Sequence, residues 1–185
     1  MQSYNLDGSG DLMRHVALVG DSVFDNEDYV QGGEPSVADQ LRERLSPEDR
    51  VSCAAVDGHQ LRDVREQLPE LPDATTHIFL SAGGVDALRF LTGLECFEKP
   101  ARSVGEGIDR FEGLRESFML KYRKVLGKVV DRCSATIPCT VYTGNFKDRT
   151  LQSRVETVLP ILNDVIIGTA YDYGLPVVEL RQIFF

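Results

Sequence analysis

Basic residues are scarce in this chain: 20 lysines and arginines stand against 29 aspartates and glutamates, which gives a net charge of −9. Nucleic-acid binding needs clustered cations that neutralise phosphates, and docking on anionic membranes needs them too. The acidic balance therefore argues against nucleic acid or a membrane surface as the main partner. Hydrophobic residues still make up 42% of the 185 residues, which is enough for a domain of this length to bury a core.

Metal-site and membrane patterns are also missing from the sequence. The four cysteines are Cys53, Cys96, Cys133 and Cys139, and their spacing matches neither a CxxC motif nor a zinc site. We therefore interpret all four as reduced thiols with structural roles. The sequence has no apolar run close to 18 residues and no signal-peptide pattern, so we predict a cytoplasmic protein.

Short apolar, β-branched runs alternate along the chain with segments of helical periodicity. The predicted strands are 15–19, 51–56, 77–82, 137–142 and 175–180. The predicted helices are 35–45, 60–68, a long amphipathic helix with apolar positions over 111–129, and a last helix from 151 to near Gly174. Strands that alternate with helices favour right-handed βαβ units. We predict an α/β fold with three α/β/α layers around a five-stranded parallel sheet, in the flavodoxin-like order 2-1-3-4-5.

One domain is predicted over 13–185. A flexible arm is predicted over 1–12, because that stretch is polar and rich in Gly, Ser and Asp. Residues 92–107 contain three glycines and a proline, and are predicted to form an irregular surface excursion. The sequence stops five residues after the last predicted strand, with apolar Ile183, Phe184 and Phe185. We interpret this end either as tucked under a neighbouring element or as a truncation of a longer protein.

Three glycine-bearing loops follow the first three predicted strands, at the edge where open parallel sheets bind ligands. The loops are Gly20-Asp21-Ser22, Asp57-Gly58 and Gly83-Gly84-Val85-Asp86. In the predicted strand order they are neighbours, so their residues share one crevice. Acyl transfer needs an exposed nucleophile and N–H donors aimed at the oxyanion. Ser22 offers its hydroxyl and its own N–H, and Gly58 offers a second N–H that a substrate can approach closely.

The loops resemble the sequence blocks of the SGNH (GDSL-type) hydrolases, in a bacterial, cytoplasmic-type form. The run Val19-Gly20-Asp21-Ser22-Val23-Phe24-Asp25-Asn26 looks like the first block, and Asp57-Gly58 is similar to the second. The run Ser81-Ala82-Gly83-Gly84-Val85-Asp86 is similar to the third, usually written Gly-x-Asn-Asp. Over 15–180, the resemblance implies hydrolysis of small esters or acyl groups by a Ser–His–Asp triad, with Ser22 as nucleophile and neither metal nor cofactor.

Two departures from the family pattern bear on activity. The third block places an asparagine, an oxyanion donor, where this chain has Val85, and losing one such donor costs about 10²–10³ in rate. The family's Asp and His lie after the fifth strand, in a block that this sequence does not contain. Removing the base from a triad costs roughly 10⁴ or more in rate.

Two hypotheses therefore stay open. The first is a serine ester hydrolase whose activity is weakened by Val85 and by the missing C-terminal His. The second is a catalytically silent module that binds a small acyl or anionic ligand in the same crevice. A flavodoxin-like nucleotide or phosphate binder fits less well, because the chain has no Gly-rich phosphate loop and a net charge of −9.

The histidines offer one alternative base. His59 follows Gly58 directly, and is interpreted either as a substitute base or as a surface or capping residue. His15 and His77 open predicted strands, so we expect both at the opposite edge of the sheet.

Supporting roles are assigned to three residues of the loops. Asp21 is expected to hold the serine turn by hydrogen bonds from its side chain to the backbone. Asp86 is expected either to cap the helix that follows it or to take part in the chemistry. Gly84, which precedes Val85 in the third loop, is also assigned a supporting role. Asn163, in the last long helix, is interpreted as a buried polar contact.

Overall fold

The computed structural model describes residues 13–92 and 101–183. Strands and helices alternate over these residues, as the sequence predicts. The strands are β1 (His15–Gly20), β2 (Arg50–Cys53), β3 (His77–Ser81) and β4 (Thr136–Pro138). The helices are α1 (Val37–Arg44), α2 (Val64–Gln67), α3 (Gly84–Leu91), α4 (Val104–Arg132) and α5 (Arg149–Asp172). Four 3₁₀ turns cover Glu27–Tyr29, Leu61–Asp63, Leu68–Glu70 and Leu180–Gln182.

The strands over the described residues form one parallel sheet in the order β2-β1-β3-β4. β1 is one of the two central strands, and its Val16 pairs with Val51 on one side and with His77 on the other. The predicted α/β class and the predicted order of the first four strands are therefore confirmed. Because the strands are parallel, the loops after β1, β2 and β3 emerge side by side at one edge of the sheet.

Two apolar clusters cover the two faces of the sheet and create the three layers. Successive side chains of β1 point to opposite faces. Ala17 and Val19 belong to the larger cluster, with α4 and α5, whereas Val16 and Leu18 belong to the smaller one, with α1 and the last 3₁₀ turn. Because both faces of β1 are buried, its residues from Val16 to Val19 are all apolar, and polar and apolar residues do not alternate.

Side-chain caps fix where the helices begin. Ser36 caps α1 by accepting from the Asp39 N–H, and Asp148 caps α5 by accepting from the N–H groups of Thr150 and Leu151. Ser103 caps α4, so this helix begins at Val104 and the excursion predicted over 92–107 ends earlier than expected. The cause is the cap, which outweighs the low helix propensity of the two glycines in the first turn.

The prediction of a fifth strand over 175–180 is wrong. Within the described residues, Val178 forms an isolated parallel bridge with Cys139, and no longer ladder follows. Pro176 has no N–H to donate, and the chain turns into a 3₁₀ helix at Leu180. Over the part of the chain that the structure describes, the sheet therefore has four strands, and one bridge occupies the fifth position of the predicted order.

Three further elements differ from the prediction. The second strand ends at Cys53 rather than at residue 56, and the N–H groups of Ala54 and Ala55 both donate to the Leu18 carbonyl. The fourth strand is shorter than 137–142, because the Asn163 side chain bonds to both the N–H and the C=O of Val141 at 2.8 Å. Asn163 is fully buried, which confirms it as a buried polar contact. The helix predicted over 60–68 is a 3₁₀ turn followed by the single turn of α2.

Several predictions fall on residues that the structure does not describe. They concern the arm over 1–12, the middle of the excursion (93–100, with Cys96), and Phe184 and Phe185. The other three cysteines are free thiols: Cys53 is exposed, Cys133 is half-buried and Cys139 is buried.

Candidate active site

Ser22 lies half-buried in a tight turn directly after β1. Gly20 has a φ of 133°, and a Cβ at this residue would lie 1.6 Å from the carbonyl oxygen of Ser81, so glycine is required. The Asp21 N–H donates to that same oxygen at 3.0 Å, and the Phe24 N–H donates to the Asp21 carbonyl at 3.1 Å. The turn is thereby bonded to the end of β3 and presents Ser22 at the ligand-binding edge of the sheet.

The Asp21 carboxylate lies behind the turn and connects the first loop to the third. Its Oδ1 accepts from the Val23 N–H at 3.3 Å and from the Ser81 hydroxyl at 3.4 Å, and the Gly84 N–H also bonds to the carboxylate. The residue is 3% exposed. Burial raises the pKa of Asp21 to about 6, against the opposing effect of these hydrogen bonds.

Ser22 opens into a cavity of about 120 Å³. Asp21 and Val23 line it from the first loop, and Gly84 and Val85 line it from the start of α3. The other walls are apolar side chains of α3 and α5 and the loop after β4. They include Ala87, Leu88, Leu91, Val155, Leu159, Val141 and Phe146. A hydroxyl nucleophile at the mouth of an apolar cavity can meet the carbonyl of an uncharged acyl group.

The loop after β4 belongs to this site, and the sequence analysis missed it. Tyr142, Thr143, Gly144 and Phe146 all line the cavity. The loop starts at Val141, which the amide of Asn163 fixes. The available signal was Gly144, whose φ is 67°. A glycine after a predicted strand indicates a turn but gives no hint of what the turn faces.

Gly58 lies beside the first loop but does not line the Ser22 cavity. The Val56 N–H donates to the Gly20 carbonyl at 3.1 Å, and the Asp57 N–H donates to an Asp25 carboxylate oxygen at 2.7 Å. Gly58 itself is exposed, with a φ of 76°. Neither the Ser22 N–H nor the Gly58 N–H has an acceptor among the described residues. Both donors are available to a ligand.

His59 is held by Gln67, and this contact fixes the proton on its ring. Gln67 Oε1 accepts from the Gly20 N–H at 2.7 Å, so the atom that lies 3.0 Å from His59 Nδ1 is the amide nitrogen, a donor. Nδ1 is therefore the acceptor, and a neutral ring has its proton on Nε2. In this arrangement His59 has no free lone pair that could take the proton of the Ser22 hydroxyl.

No protein-family model and no curated protein sequence matches this chain, but solved structures do. Phospholipase A1 from Streptomyces albidoflavus is 19% identical with a TM-score of 0.65, and the match covers 93% of this chain and 81% of that one. The lipase/acylhydrolase from Enterococcus faecalis is 18% identical with a TM-score of 0.61, covering 92% and 78%. AlinE4, an SGNH-hydrolase family esterase, is 19% identical with a TM-score of 0.56, covering 90% and 75%.

This chain has the SGNH-hydrolase fold. The fold that the three loops predict is thereby confirmed, at sequence identities that carry fold and not activity. Within the SGNH-hydrolase fold, the strand order places the first three loops side by side, as predicted. The structure brings Asp21, Ser22, Gly84 and Val85 together around one cavity, and it leaves Gly58 outside the cavity wall.

The remaining predicted residues occupy other places in the SGNH-hydrolase fold. Asp86 does not cap α3, whose N-cap is Gly83. Its Oδ2 instead accepts from the Leu61 N–H at 2.9 Å, which joins the third loop to the turn after the second. His15 and His77 begin β1 and β3, at the edge of the sheet opposite the site, as expected.

The described ranges, 13–92 and 101–183, contain no group of three or more His, Cys, Asp or Glu side chains that could hold a metal ion. They also contain no helix with the length and hydropathy needed to cross a bilayer.

Proposed function

We propose that this chain is an SGNH-type serine hydrolase of small esters or acyl groups, with Ser22 as its nucleophile. The observation that carries the proposal is the position of Ser22, on a glycine-dependent turn after β1 and at the mouth of an apolar cavity. The names of its structural neighbours denote ester hydrolysis by a phospholipase, a lipase/acylhydrolase and an esterase.

The reaction follows from the groups at the site. Ser22 Oγ attacks the ester carbonyl while a base takes the hydroxyl proton, and the Ser22 N–H stabilises the oxyanion. Gly58 lies outside the cavity wall, so its N–H adds a second donor only if the oxyanion projects out of the cavity towards the loop after β2. The same base then protonates the alcohol, which leaves as the acyl–enzyme forms. Water, deprotonated by the base, attacks the acyl group, releases the acid and restores the Ser22 hydroxyl.

Substitution of His59 tests which residue is the base. For His59 to act, its hydrogen bond with Gln67 must break and its ring must turn a bare nitrogen towards Ser22. We expect His59→Asn to lower turnover as far as Ser22→Ala does if His59 is the base. Turnover that survives in His59→Asn assigns the base to another residue.

The substrate class follows from the cavity. Aliphatic and aromatic side chains form most of its wall, and at about 120 Å³ it is small. We infer a short, uncharged acyl group, because a charged one would be desolvated there without a partner. The cytoplasmic location, inferred from the sequence, stays a prediction.

The decisive experiment compares this chain with Ser22→Ala on p-nitrophenyl acetate, butyrate and octanoate. We expect turnover that favours the shorter esters and falls by roughly 10⁴ in Ser22→Ala. Ser153→Ala, which removes a hydroxyl from an exposed position of α5, is the matched control and should retain full activity. Equal activity in Ser22→Ala would show that the nucleophile is misassigned.

A second candidate is a catalytically silent module that binds a small acyl or anionic ligand in the same cavity. Two observations favour it: the Val85 side chain offers no donor beside Ser22, and the Nδ1 lone pair of His59 is already engaged. A fluorophosphonate probe separates the two candidates, because it labels an activated serine. Absent labelling and absent turnover, together with saturable binding of butyrate, would support the binding module.

A further inference from the structure

A second pocket, of about 340 Å³, lies between the 61–67 segment and α4. None of its lining residues lines the Ser22 cavity. Five of them are cations, from two different walls. They are Arg62 and Arg65 on the first wall and Lys121, Lys124 and Lys128 on α4. In a chain with a net charge of −9, this is a marked local concentration of positive charge.

The three lysines form one row on α4. Lys121, Lys124 and Lys128 are three and four residues apart, so they share a face of the helix. All three are exposed, and none forms an ion pair with a described residue. The row therefore adds three positive charges to a pocket whose lining contains one carboxylate, that of Asp86.

The opposite wall is only weakly neutralised. Arg62 lies 3.4 Å from Asp63, and Arg65 lies 3.6 Å from Glu66. Both pairs join adjacent residues on the surface, and such pairs contribute little free energy. Asp86 also lines the pocket and contributes one negative charge, while its Oδ2 accepts from the Leu61 N–H. Both guanidinium groups can therefore contact an added anion at little cost.

The arrangement is one that a multivalent anion stabilises. Five cations outnumber the one carboxylate of the lining, and an anion among them converts their mutual repulsion into attraction on both walls. Guanidinium groups match phosphate oxygens in paired hydrogen bonds, and lysines add point charges. The concave shape favours a compact ligand over an extended polymer, because the two walls face each other across a small volume.

We propose that this pocket binds a small, multiply charged anion of the phosphate-bearing class. The site is separate from the Ser22 cavity, and binding does not depend on ester hydrolysis. Failure of the esterase experiment therefore leaves this proposal intact, and failure of anion binding leaves the esterase proposal intact.

The test is calorimetric titration of the full chain with sodium pyrophosphate, with thermal unfolding measured in parallel. We expect saturable binding near one equivalent and a melting temperature that rises with pyrophosphate concentration. Raising NaCl from about 0.05 M to about 0.5 M should weaken the affinity markedly, because exposed charges are screened.

Charge variants locate the site. The triple variant Lys121→Gln, Lys124→Gln, Lys128→Gln should weaken pyrophosphate binding on the order of tenfold, and glutamine keeps the helix propensity of α4. Arg62→Gln with Arg65→Gln tests the opposite wall independently. The matched control, Arg44→Gln, Arg115→Gln, Lys147→Gln, removes three exposed cations outside the pocket and should leave the affinity unchanged.

Three results would overturn the proposal. The first is no saturable binding of pyrophosphate at millimolar concentration. The second is equal weakening by the pocket triple and the control triple, which would indicate a response to net charge alone. The third is binding that appears with heparin but not with pyrophosphate, which would assign the cations to an extended polyanion surface.

Discussion

Gln67 holds Gly20 by both ends of its side-chain amide. Its Oε1 accepts from the Gly20 N–H, and its Nε2 donates to the Gly20 carbonyl, each at 2.7 Å. Gly20 is the last residue of β1, two residues before Ser22, and Gln67 is 3% exposed. A buried side chain thus satisfies the backbone where the strand ends and the serine turn begins.

We expect Gln67→Met to lower the free energy of unfolding by about 2–3 kcal/mol, because it leaves the buried Gly20 N–H without an acceptor. Methionine has nearly the same length, so packing changes little. Urea unfolding of the chain and the variant measures the difference. Gln40→Met, at an exposed position of α1, is the control and should stay within about 0.5 kcal/mol. Equal losses in the two variants would contradict the argument.

Gly20→Ala should be far more destabilising than another glycine change with the same backbone requirement. The new Cβ would lie 1.6 Å from the Ser81 carbonyl oxygen, a backbone atom that cannot move alone. We expect a loss above about 4 kcal/mol. Gly33→Ala also needs a positive φ, 96°, but its Cβ would contact nothing within 4 Å, so about 1–2 kcal/mol is expected. Similar losses at Gly20 and Gly33, measured by urea unfolding, would show that the clash relaxes.

The buried strands were predictable because their own residues determine them. The run from Val16 to Val19 is apolar on both faces and stops at a glycine, so its place in the sheet follows from the sequence. The ends of 137–142 and 175–180 depend instead on distant partners. The Asn163 side chain forms hydrogen bonds with the backbone of Val141, which therefore does not pair with a strand. In the last run, only Val178 pairs with the sheet, through one bridge to Cys139. No periodicity contains this information.

The site was predictable to the same extent. The parallel order brings the loops that contain Ser22 and Val85 together, so their shared cavity follows from topology. The contact of His59 with Gln67 depends on which way two side chains turn, which the sequence does not encode in any spacing. The loop with Gly144 was missed because a turn signal does not indicate what the turn faces. The sequence therefore predicts the position of the nucleophile better than the state of its neighbours.

Asp21→Asn should remove a pH dependence of stability that the buried carboxyl imposes. The pKa of Asp21 rises from 3.8 to about 6 on folding, so the folded state keeps a proton that the unfolded state loses. The contribution of Asp21 to stability is therefore full below pH 4 and is lost as the pH rises through about 6. The free energy of unfolding of the chain, relative to Asp21→Asn, should fall by about 2–3 kcal/mol between pH 4 and pH 7.

Urea unfolding at pH 4, 5, 6 and 7 measures this difference. Asp164→Asn, at an exposed position of α5, is the matched control, and its difference from the parent chain should stay nearly constant over that range. A flat difference for Asp21→Asn would mean that hydrogen bonds from Val23, Ser81 and Gly84 offset the cost of burial.

Val85→Asn should raise ester turnover, because it places an amide donor on the cavity wall beside Ser22. A side-chain donor to the oxyanion is worth about 10²–10³ in rate in a well-formed site, and we expect about 10-fold or more here. The donor acts on charge that develops in the transition state, so kcat should rise while KM changes little.

Val85→Leu matches the shape of asparagine without its donor and should not raise kcat. The gain must also disappear when Ser22→Ala is added, since a donor without a nucleophile has no oxyanion to stabilise. Equal gains in the Asn and Leu variants would show that cavity shape, and not a missing donor, limits the reaction.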